Sequence, residues 1–403
     1  MVNYDGQSNH ALADDEDLVF EILTRLPVKS LMRFRSVSKP WRALISQSHF
    51  IKKHRSYANS GITKNSSSRV LFLTNPPTFI RLEDLESLSS DGLDLVTPTK
   101  LALPVTTSNF EIWDWKIVGS CHGLVCLEIN HSVVVIWNPC TGESKRSIKP
   151  RNDCVSRFYG FGYDPNIDDY KVILVGVPLI ECEHSFTSFA DQTTVQVFAL
   201  KSDSWNFHEW CGDINTLKGQ GYLLNGALHW LEFESLEFQG GSRIMSFHLG
   251  EEKFEEIPLP FDGEVIRGAP GGFNGFMTFK NRLCVYSGAF FPSPFTIRML
   301  EKYEDKGSWV EILNLDSNVV LDFGDKILYL KPLCILESGE ILVDNVEEGH
   351  GSVLALYNPD ERTFRDLVHN HKHLYFDTII CEETLVSPVI SSGGDNDAAP
   401  ATL

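Results

Sequence analysis

The chain has 403 residues, of which 42% are hydrophobic and 22% are charged, and its formal net charge is −19. These values match ordinary soluble globular domains and exclude a mostly disordered or low-complexity chain. No stretch approaches roughly 18 consecutive apolar residues, and the acidic first residues do not resemble a secretory signal, so we expect no membrane association. The nine cysteines include no Cys-x-x-Cys pair, which argues against a disulfide framework or zinc ribbon and favours the cytoplasm or the nucleus.

Charge is distributed unevenly along the chain. Residues 1–56 hold nine Lys and Arg against six Asp and Glu, so the remaining residues carry −22. A basic segment followed by an acidic body indicates two modules with different partners. The acidic body would repel phosphates, so we expect no nucleic-acid partner and consider a basic protein a plausible target. Solubility alone also explains this charge.

Residues 14–56 are predicted to form a small helical module after a disordered tail over 1–13. An acidic cluster at 14–17 suits a helix N-terminus, and apolar residues follow at helical spacing until Pro27. A second helix is predicted over 29–35 and a third over 36–46, unless Pro40 begins the third. Because about 40 residues of short helices bury little surface, the module needs a partner.

The run over residues 17–45 carries a specific motif. Its features are Leu26-Pro27, Ser30-Leu31, Arg33-Phe34, Val37, Ser38-Lys39 and Trp41 with Leu44-Ile45. In order and spacing they resemble a plant-type F-box, which implies docking to the Skp-type adaptor of a cullin-RING ubiquitin ligase. On that resemblance, the candidate adaptor-binding residues, some of which belong to the module's own core, are Leu18, Ile22, Leu26, Pro27, Leu31, Phe34, Val37, Trp41, Leu44 and Ile45. A candidate basic rim that could steer an acidic partner consists of Arg33, Arg35, Lys39 and Arg42.

A polar run over 57–68 reads as a linker, and the pattern then changes to short alternating strands over 69–390. Strand pairs begin at Arg69, Val133, Val195, Arg243, Thr296 and Val353, and the last five starts are 48 to 62 residues apart. Repeats of about 50 residues made of four short strands indicate kelch-like propeller blades. The predicted fold is therefore an all-α F-box module followed by an all-β propeller. Six blades are favoured, with seven blades or an unclosed array of sheets as alternatives.

Two further expectations concern the propeller. Residues 384–390 are expected to add a strand that closes the ring, and 391–403 to form a disordered tail. The aromatic residues expected to fill the cores between blades are Trp137, Trp205, Trp230, Trp309, Phe254 and Phe364.

Several short motifs characterise this body. They are Gly119–Leu124, Trp137–Thr141, Gly160–Asp164, Asp169–Val172, Ser204-Trp205 and Gly226–Trp230. In combination they resemble the F-box-associated domain of the interaction type, found in plant S-locus and kelch-type F-box proteins. The resemblance implies capture of a protein target, without identifying the target.

Other candidate sites are weaker. The Gly160-Phe161-Gly162 run lacks the third glycine and the helix of a nucleotide-binding loop, so a turn is favoured. His369, His371 and His373 would share one side of a strand, but the Asn and Lys between them favour an exposed loop over a metal site.

Cys121 and Cys126 lack zinc spacing and are interpreted as buried thiols. We therefore expect no metal, no cofactor and no catalytic residue. The favoured function is the substrate-recognition subunit of an SCF ubiquitin ligase, which assembles from Skp-type adaptor, cullin, RING subunit and F-box protein. The alternatives are a propeller enzyme, such as an oxidase or a glycosidase, and an adaptor-bound scaffold that does not lead to degradation.

Overall fold

The structure is a computed structural model of the full chain. It describes residues 17–58, 68–74, 76–87, 96–104, 115–150, 154–178, 193–209, 217–233, 241–259, 273–287, 295–315, 329–347, 351–367 and 377–389. None of the helices within these ranges is long and apolar enough to cross a membrane.

Four helices form the N-terminal module, at 17–23 (α1), Val28–Phe34 (α2), Lys39–Ile45 (α3) and Ser48–Ala58 (α4). Pro27 precedes α2, because a proline cannot continue the preceding helix. The Ser38 hydroxyl caps α3 by accepting a hydrogen bond of 3.2 Å from the Trp41 amide, and Pro40 occupies the first turn. The third helix therefore begins within one residue of Pro40, and the alternative that placed its start there is confirmed.

Twenty-five strands and one short helix, α5 (Leu82–Glu86), make up the rest of the described chain. In chain order the strands are Ser68–Phe72 (β1), Thr78–Arg81 (β2), Thr99–Lys100 (β3), Trp115–Cys121 (β4), Leu124–Ile129 (β5), Val133–Trp137 (β6), Ser144–Ile148 (β7), Cys154–Asp164 (β8), Asp169–Pro178 (β9), Thr194–Ala199 (β10), Ser204–Glu209 (β11), Gly219–Gln220 (β12), Tyr222–Leu224 (β13), Ala227–Phe233 (β14), Gly241–His248 (β15), Lys253–Pro258 (β16), Phe273–Phe279 (β17), Arg282–Ser287 (β18), Phe295–Leu300 (β19), Trp309–Leu315 (β20), Tyr329–Ile335 (β21), Ile341–Glu347 (β22), Gly351–Asn358 (β23), Thr363–Asp366 (β24) and Thr378–Glu382 (β25).

These strands form six antiparallel blades. From inner to outer strand they are β25-β1-β2-β3, β4-β5-β6-β7, β8-β9-β10-β11, β13-β14-β15-β16, β17-β18-β19-β20 and β21-β22-β23-β24, which we number blades 1 to 6. The short β12 pairs in parallel with β8, and a single residue pair, Gly241 with Phe273, joins blades 4 and 5. The six-bladed propeller prediction is confirmed.

An apolar core lies between every pair of neighbouring blades, including blades 6 and 1. All six predicted aromatic residues lie in these cores. Trp137 packs between blades 1 and 2, Trp205 between 2 and 3, and Trp230 between 3 and 4. The ring is therefore closed, which excludes the unclosed array of sheets.

Ring closure depends on β25, the last strand in the chain. It pairs antiparallel with β1, the first propeller strand, in a register that joins Ser68 to Glu382 and Phe72 to Thr378. The sequence-based expectation that 384–390 supplies the closing strand is therefore wrong. The strand that closes the ring lies immediately before that run, and residues 383–389 follow it without regular structure.

The Gly160-Phe161-Gly162 run lies within β8 and not in a turn, so that expectation is also wrong. A Cβ atom built on Gly160 would lie 2.8 Å from Leu228, and one on Gly162 would lie 2.7 Å from Leu223. These glycines therefore let the inner strand of blade 3 approach blade 4 closely.

Candidate functional site

The core of the helical module contains two of the candidate adaptor-binding residues. Its buried side chains are Leu23, Val28, Leu31, Ile45 and Phe50. Leu31 and Ile45 are thus inaccessible to a partner in this structure, and we assign them to the module's own core.

Four further candidates are partly buried against this core, namely Leu26, Phe34, Trp41 and Leu44. The Phe34 and Trp41 rings meet edge to face with their centroids 5.4 Å apart. Contacts of this kind stabilise the module, so these side chains present only part of their surface to a partner.

Three candidates expose large apolar side chains: Leu18 is 59% exposed, Ile22 52% and Val37 64%. Leu18 and Ile22 are four residues apart on α1 and therefore share one face of that helix. Pro27 is also exposed. Val37 lies in the segment between α2 and α3. We call these three exposed side chains, Leu18, Ile22 and Val37, together the apolar face, because exposed apolar groups on so small a module are typical of a docking surface.

The four residues of the candidate basic rim are of two kinds: three are exposed to solvent and one contacts the propeller. Arg33, Lys39 and Arg42 are exposed and lie beside the apolar face in the sequence. Arg35 is half-buried and lies 3.9 Å from the Glu143 carboxylate in blade 2. Arg35 therefore contacts the propeller, which leaves three arginine and lysine side chains available to a partner.

The helical module is joined to the propeller by residues 383–389, which follow β25 and which we call the strap. Leu385 of the strap is 3% exposed and packs in the helical core, and Cys140 of blade 2 packs beside it. The predicted need of the module for a partner is thus met in part within the same chain.

Side chains of blade 2 bind the backbone of the strap. The fully buried Asn138 side chain donates hydrogen bonds to the carbonyls of Thr384 (3.0 Å) and Val386 (2.7 Å). The Thr384 hydroxyl donates to the carbonyl of His122 at 2.8 Å. At the start of the strap, Glu383 accepts hydrogen bonds from Arg69 and lies 3.3 Å from Nε of Arg81.

Blade 3 contacts helix α4. Nζ of Lys52 donates to the Asp168 carboxylate at 2.9 Å, and the Arg55 guanidinium lies 5.8 Å from the centre of the Tyr163 ring. Burial would raise the pKa of Asp168, but hydrogen bonds from Tyr163, Lys201 and Lys52 outweigh it and hold that pKa well below its usual range. Asp168 therefore stays ionised and paired to α4.

His122 lies in the turn between β4 and β5, beneath the same helix. It shares a hydrogen bond of 3.1 Å with the Tyr170 hydroxyl and meets the Tyr163 ring edge-on. Burial, reinforced by the positive charge of Arg55, lowers its pKa to about 4. His122 is therefore neutral at pH 7, and its protonation would oppose the contact with α4.

Acidification is expected to destabilise the folded chain through His122 and through His229, which is fully buried in blade 4 and also has its pKa lowered to about 4 by burial. A histidine in the unfolded chain titrates near pH 6.5, so the unfolded state binds more protons between the two values. The contribution of these two histidines to the free energy of unfolding is fully present above about pH 6.5. It falls as the pH is lowered towards 4, by about 3 kcal/mol for each histidine at most. Urea unfolding at about pH 7.5, 5.5 and 4.5 measures this loss.

The variant His122→Gln serves to apportion that pH dependence. In this variant the free energy of unfolding should decrease less on acidification than in the unmodified chain, and the decrease that remains should be the one caused by His229. An unchanged pH dependence in His122→Gln would contradict the role assigned to this side chain.

The sequence reasoning did not identify the contacts between the modules. The basic residues of α4 that reach blade 3, Lys52 and Arg55, are three positions apart, and this spacing was a usable signal. Leu385 gave no such signal, because the apolar run that contains it is equally typical of a strand.

No group of three or more His, Cys, Asp or Glu side chains in the described ranges is arranged to hold a metal ion. The three histidines at 369, 371 and 373 lie outside those ranges. Cys121 and Cys126 are buried in the core between blades 2 and 3, and burial raises the pKa of each thiol. They fit the interpretation as small apolar side chains.

Comparison with known proteins bears on both modules. Residues 15–53 match the family model of the F-box domain, and residues 84–381 match that of the F-box associated beta propeller domain. An F-box/kelch-repeat protein of Arabidopsis thaliana is 26% identical over 92% of this chain and 95% of its own length. The F-box protein CPR1 of the same plant is 27% identical over 79% of this chain and 76% of its own length.

Among solved structures, an oligogalacturonate lyase from Vibrio parahaemolyticus aligns with a TM-score of 0.40 at 8% identity, over 73% of this chain and 71% of that one. Since the propeller match alone spans more than half of the sequence, this chain belongs to the family of F-box proteins with an F-box associated beta propeller domain.

Proposed function

We propose that this protein is a non-catalytic substrate receptor of an SCF ubiquitin ligase, acting in the cytoplasm or the nucleus. Its apolar face would bind a Skp-type adaptor and, through it, the cullin and the RING subunit. The observation that carries the proposal is this face, with Leu18, Ile22 and Val37 more than half exposed on a module whose own core is already filled. Burying a fully exposed side chain of this kind contributes about 1.5–3 kcal/mol, and the exposed part of each of these three contributes about half of that, so together they can anchor an interface.

The receptor would accelerate ubiquitin transfer without bond chemistry of its own. Holding a target beside a ubiquitin thioester raises the effective concentration of the target's lysines. The exposed Arg33, Lys39 and Arg42 would steer the approach of an acidic adaptor and add little to the final affinity.

The end of the propeller away from the helical module is the better candidate for target binding. Strand direction alternates within a blade, so the β4–β5, β6–β7, β8–β9 and β10–β11 turns all lie at the end that faces the helices. Of these turns, β4–β5 and β6–β7 contact the strap, and β8–β9 contacts α4. A target would therefore meet less obstruction at the opposite end, and the negative charge of the body favours a basic one.

Reconstitution with purified subunits tests the proposal. The full chain, co-expressed with a Skp-type adaptor, is expected to form a stoichiometric complex that also retains cullin and RING subunit. Adaptor binding without cullin would instead support the non-degradative scaffold. Failure to bind any adaptor, together with hydrolase or oxidase activity in the purified chain, would favour the propeller enzyme.

If target degradation follows, proteins that accumulate when the gene is lost should include the target. Proteomic comparison of plants with and without the gene measures this. The accumulating protein should then bind the purified complex, and a variant with Ile22→Asp should fail to restore its removal.

A further inference from the structure

We propose that the strap is a positioning element that fixes the direction of the F-box module relative to the propeller. In this assignment the His122-Gly123 and Asn138 motifs of blade 2 form its seat, Asp168 of blade 3 holds helix α4, and none of these residues captures the target. The proposal deepens the proposed function and rests on it, because a fixed direction matters only if the two modules bring an adaptor and a target together.

The first argument is the burial of a segment without regular structure. Glu383, Thr384 and Leu385 are all buried, although they follow the last strand and belong to no sheet. Buried backbone groups need hydrogen-bond partners, and Asn138 supplies them to two strap carbonyls. A loose tail would need no such buried amide, so Asn138 holds the strap in one place.

The second argument is the shape of the seat. Gly123 has φ +77°, and a Cβ atom on it would lie 2.3 Å from Oγ1 of Thr384 and 2.8 Å from the carbonyl of Glu382. A glycine is therefore required both by its backbone conformation and by the close approach of the strap. Gly142, in the neighbouring turn of blade 2, has the same φ but nothing within 4 Å of its Cβ position.

The third argument is that the strap contacts both modules at once. Leu385 fills the helical core next to Leu23 and Phe50, while the two residues on either side of it are hydrogen-bonded to blade 2 through Asn138. The Lys52–Asp168 pair adds a contact of the helical module with blade 3, and the Arg35–Glu143 pair adds one with blade 2. Pairs that are partly or fully exposed are weak singly, but together with a buried apolar anchor they oppose both sliding and rotation of the helical module.

As a consequence, an adaptor bound to the apolar face is held in one fixed orientation relative to the propeller. The Gly119–Leu124 and Trp137–Thr141 motifs of blade 2 are then explained by the joint between the modules. Residues that select the target belong elsewhere on the propeller.

The test uses the full chain in complex with a Skp-type adaptor, and the chain alone. Leu385→Ala removes the anchor, and Val389→Ala makes a matched change at a strap residue that is 52% exposed. Hydrogen exchange measures the helices α1–α4 and the blades separately. Energy transfer between dyes attached at the exposed positions Gln47 and Asp360 measures the distance between the modules.

Leu385→Ala is expected to raise amide exchange in α2 and α4 by about tenfold or more and to broaden the distance distribution, with exchange in blades 4 to 6 unchanged. Val389→Ala should do neither. Gly123→Ala should reproduce the broadening, and Gly142→Ala, which carries the same backbone strain, should not.

Unchanged exchange and distance in Leu385→Ala, or equal broadening in Val389→Ala, would overturn the proposal. These readouts do not depend on the adaptor, since they are also made on the chain alone. If the unmodified chain binds no adaptor, the proposed function fails, and the exchange data still decide whether the strap joins the two modules.

Discussion

Ile22→Asp is expected to lower the affinity for a Skp-type adaptor by about 100-fold or more and to leave the fold intact. Ile22 is 52% exposed, so a carboxylate there remains hydrated in the free chain. In the complex the same carboxylate would be buried against apolar groups without a partner, which costs several kcal/mol. Titration calorimetry with the purified adaptor measures the loss, and the thermal unfolding midpoint checks the fold.

The matched control is Ile148→Asp, which makes the same change at an isoleucine that is 68% exposed on β7 of blade 2. It should leave adaptor affinity unchanged. Leu26→Asp or Trp41→Ala would be a poorer test, because both side chains pack against the helical core and their loss would unfold the module. Full affinity in Ile22→Asp would remove α1 from the proposed interface.

Glu128→Leu is expected to destabilise the propeller by about 3–5 kcal/mol, because it leaves a buried ammonium without its carboxylate. Glu128 and Lys149 are both fully buried with Oε1 and Nζ 2.6 Å apart, and the Ser156 hydroxyl donates to the same oxygen at 2.8 Å. Burial alone would raise the pKa of Glu128, but Lys149 and Lys116 lower it overall. Its stabilising contribution is thus present above the usual Glu pKa and is lost as the pH falls through the folded value.

The double variant Glu128→Leu with Lys149→Met separates pairing from packing. It removes both charges, so it should recover much of the stability that Glu128→Leu loses. Urea unfolding monitored by tryptophan fluorescence compares the two. If the double variant is no more stable than the single one, the loss arises from packing in the blade and not from the ammonium that has lost its carboxylate.

Features of the fold that depend on local pattern could be predicted from the sequence. The apolar run from Val133 and its partner strand form β6 and β7, because this run and the turn residues after it lie within one stretch of chain. Trp137 and Trp230 could be assigned to cores for a similar reason, since each lies within a short apolar strand segment.

Features of the fold that depend on residues far away in the sequence could not be predicted. Gly160 suggested a turn when only its neighbours were considered, whereas the requirement comes from Leu228 of the next blade. The closing strand could not be distinguished from the residues after it, because its partner β1 lies at the other end of the propeller sequence.

The candidate adaptor site shows the same division. The F-box motif placed all ten candidates in the correct module, but helical spacing does not say which side of a helix meets a second helix. Leu31 is buried because α2 packs inward, and Ile22 is exposed because α1 turns that side away. The Asn138–Thr384 contact joins residues 246 positions apart, so no local pattern could indicate it.

The late position of β25 has a consequence for synthesis on the ribosome. The helical module and twenty-four strands are made before the strand that completes the ring, and the strap emerges after that strand. Until then the nascent chain displays an unpaired edge on β1 and a helical core that lacks Leu385, which are features that chaperones and proteases recognise. Prematurely terminated products should therefore be removed, so that only chains with a closed ring accumulate.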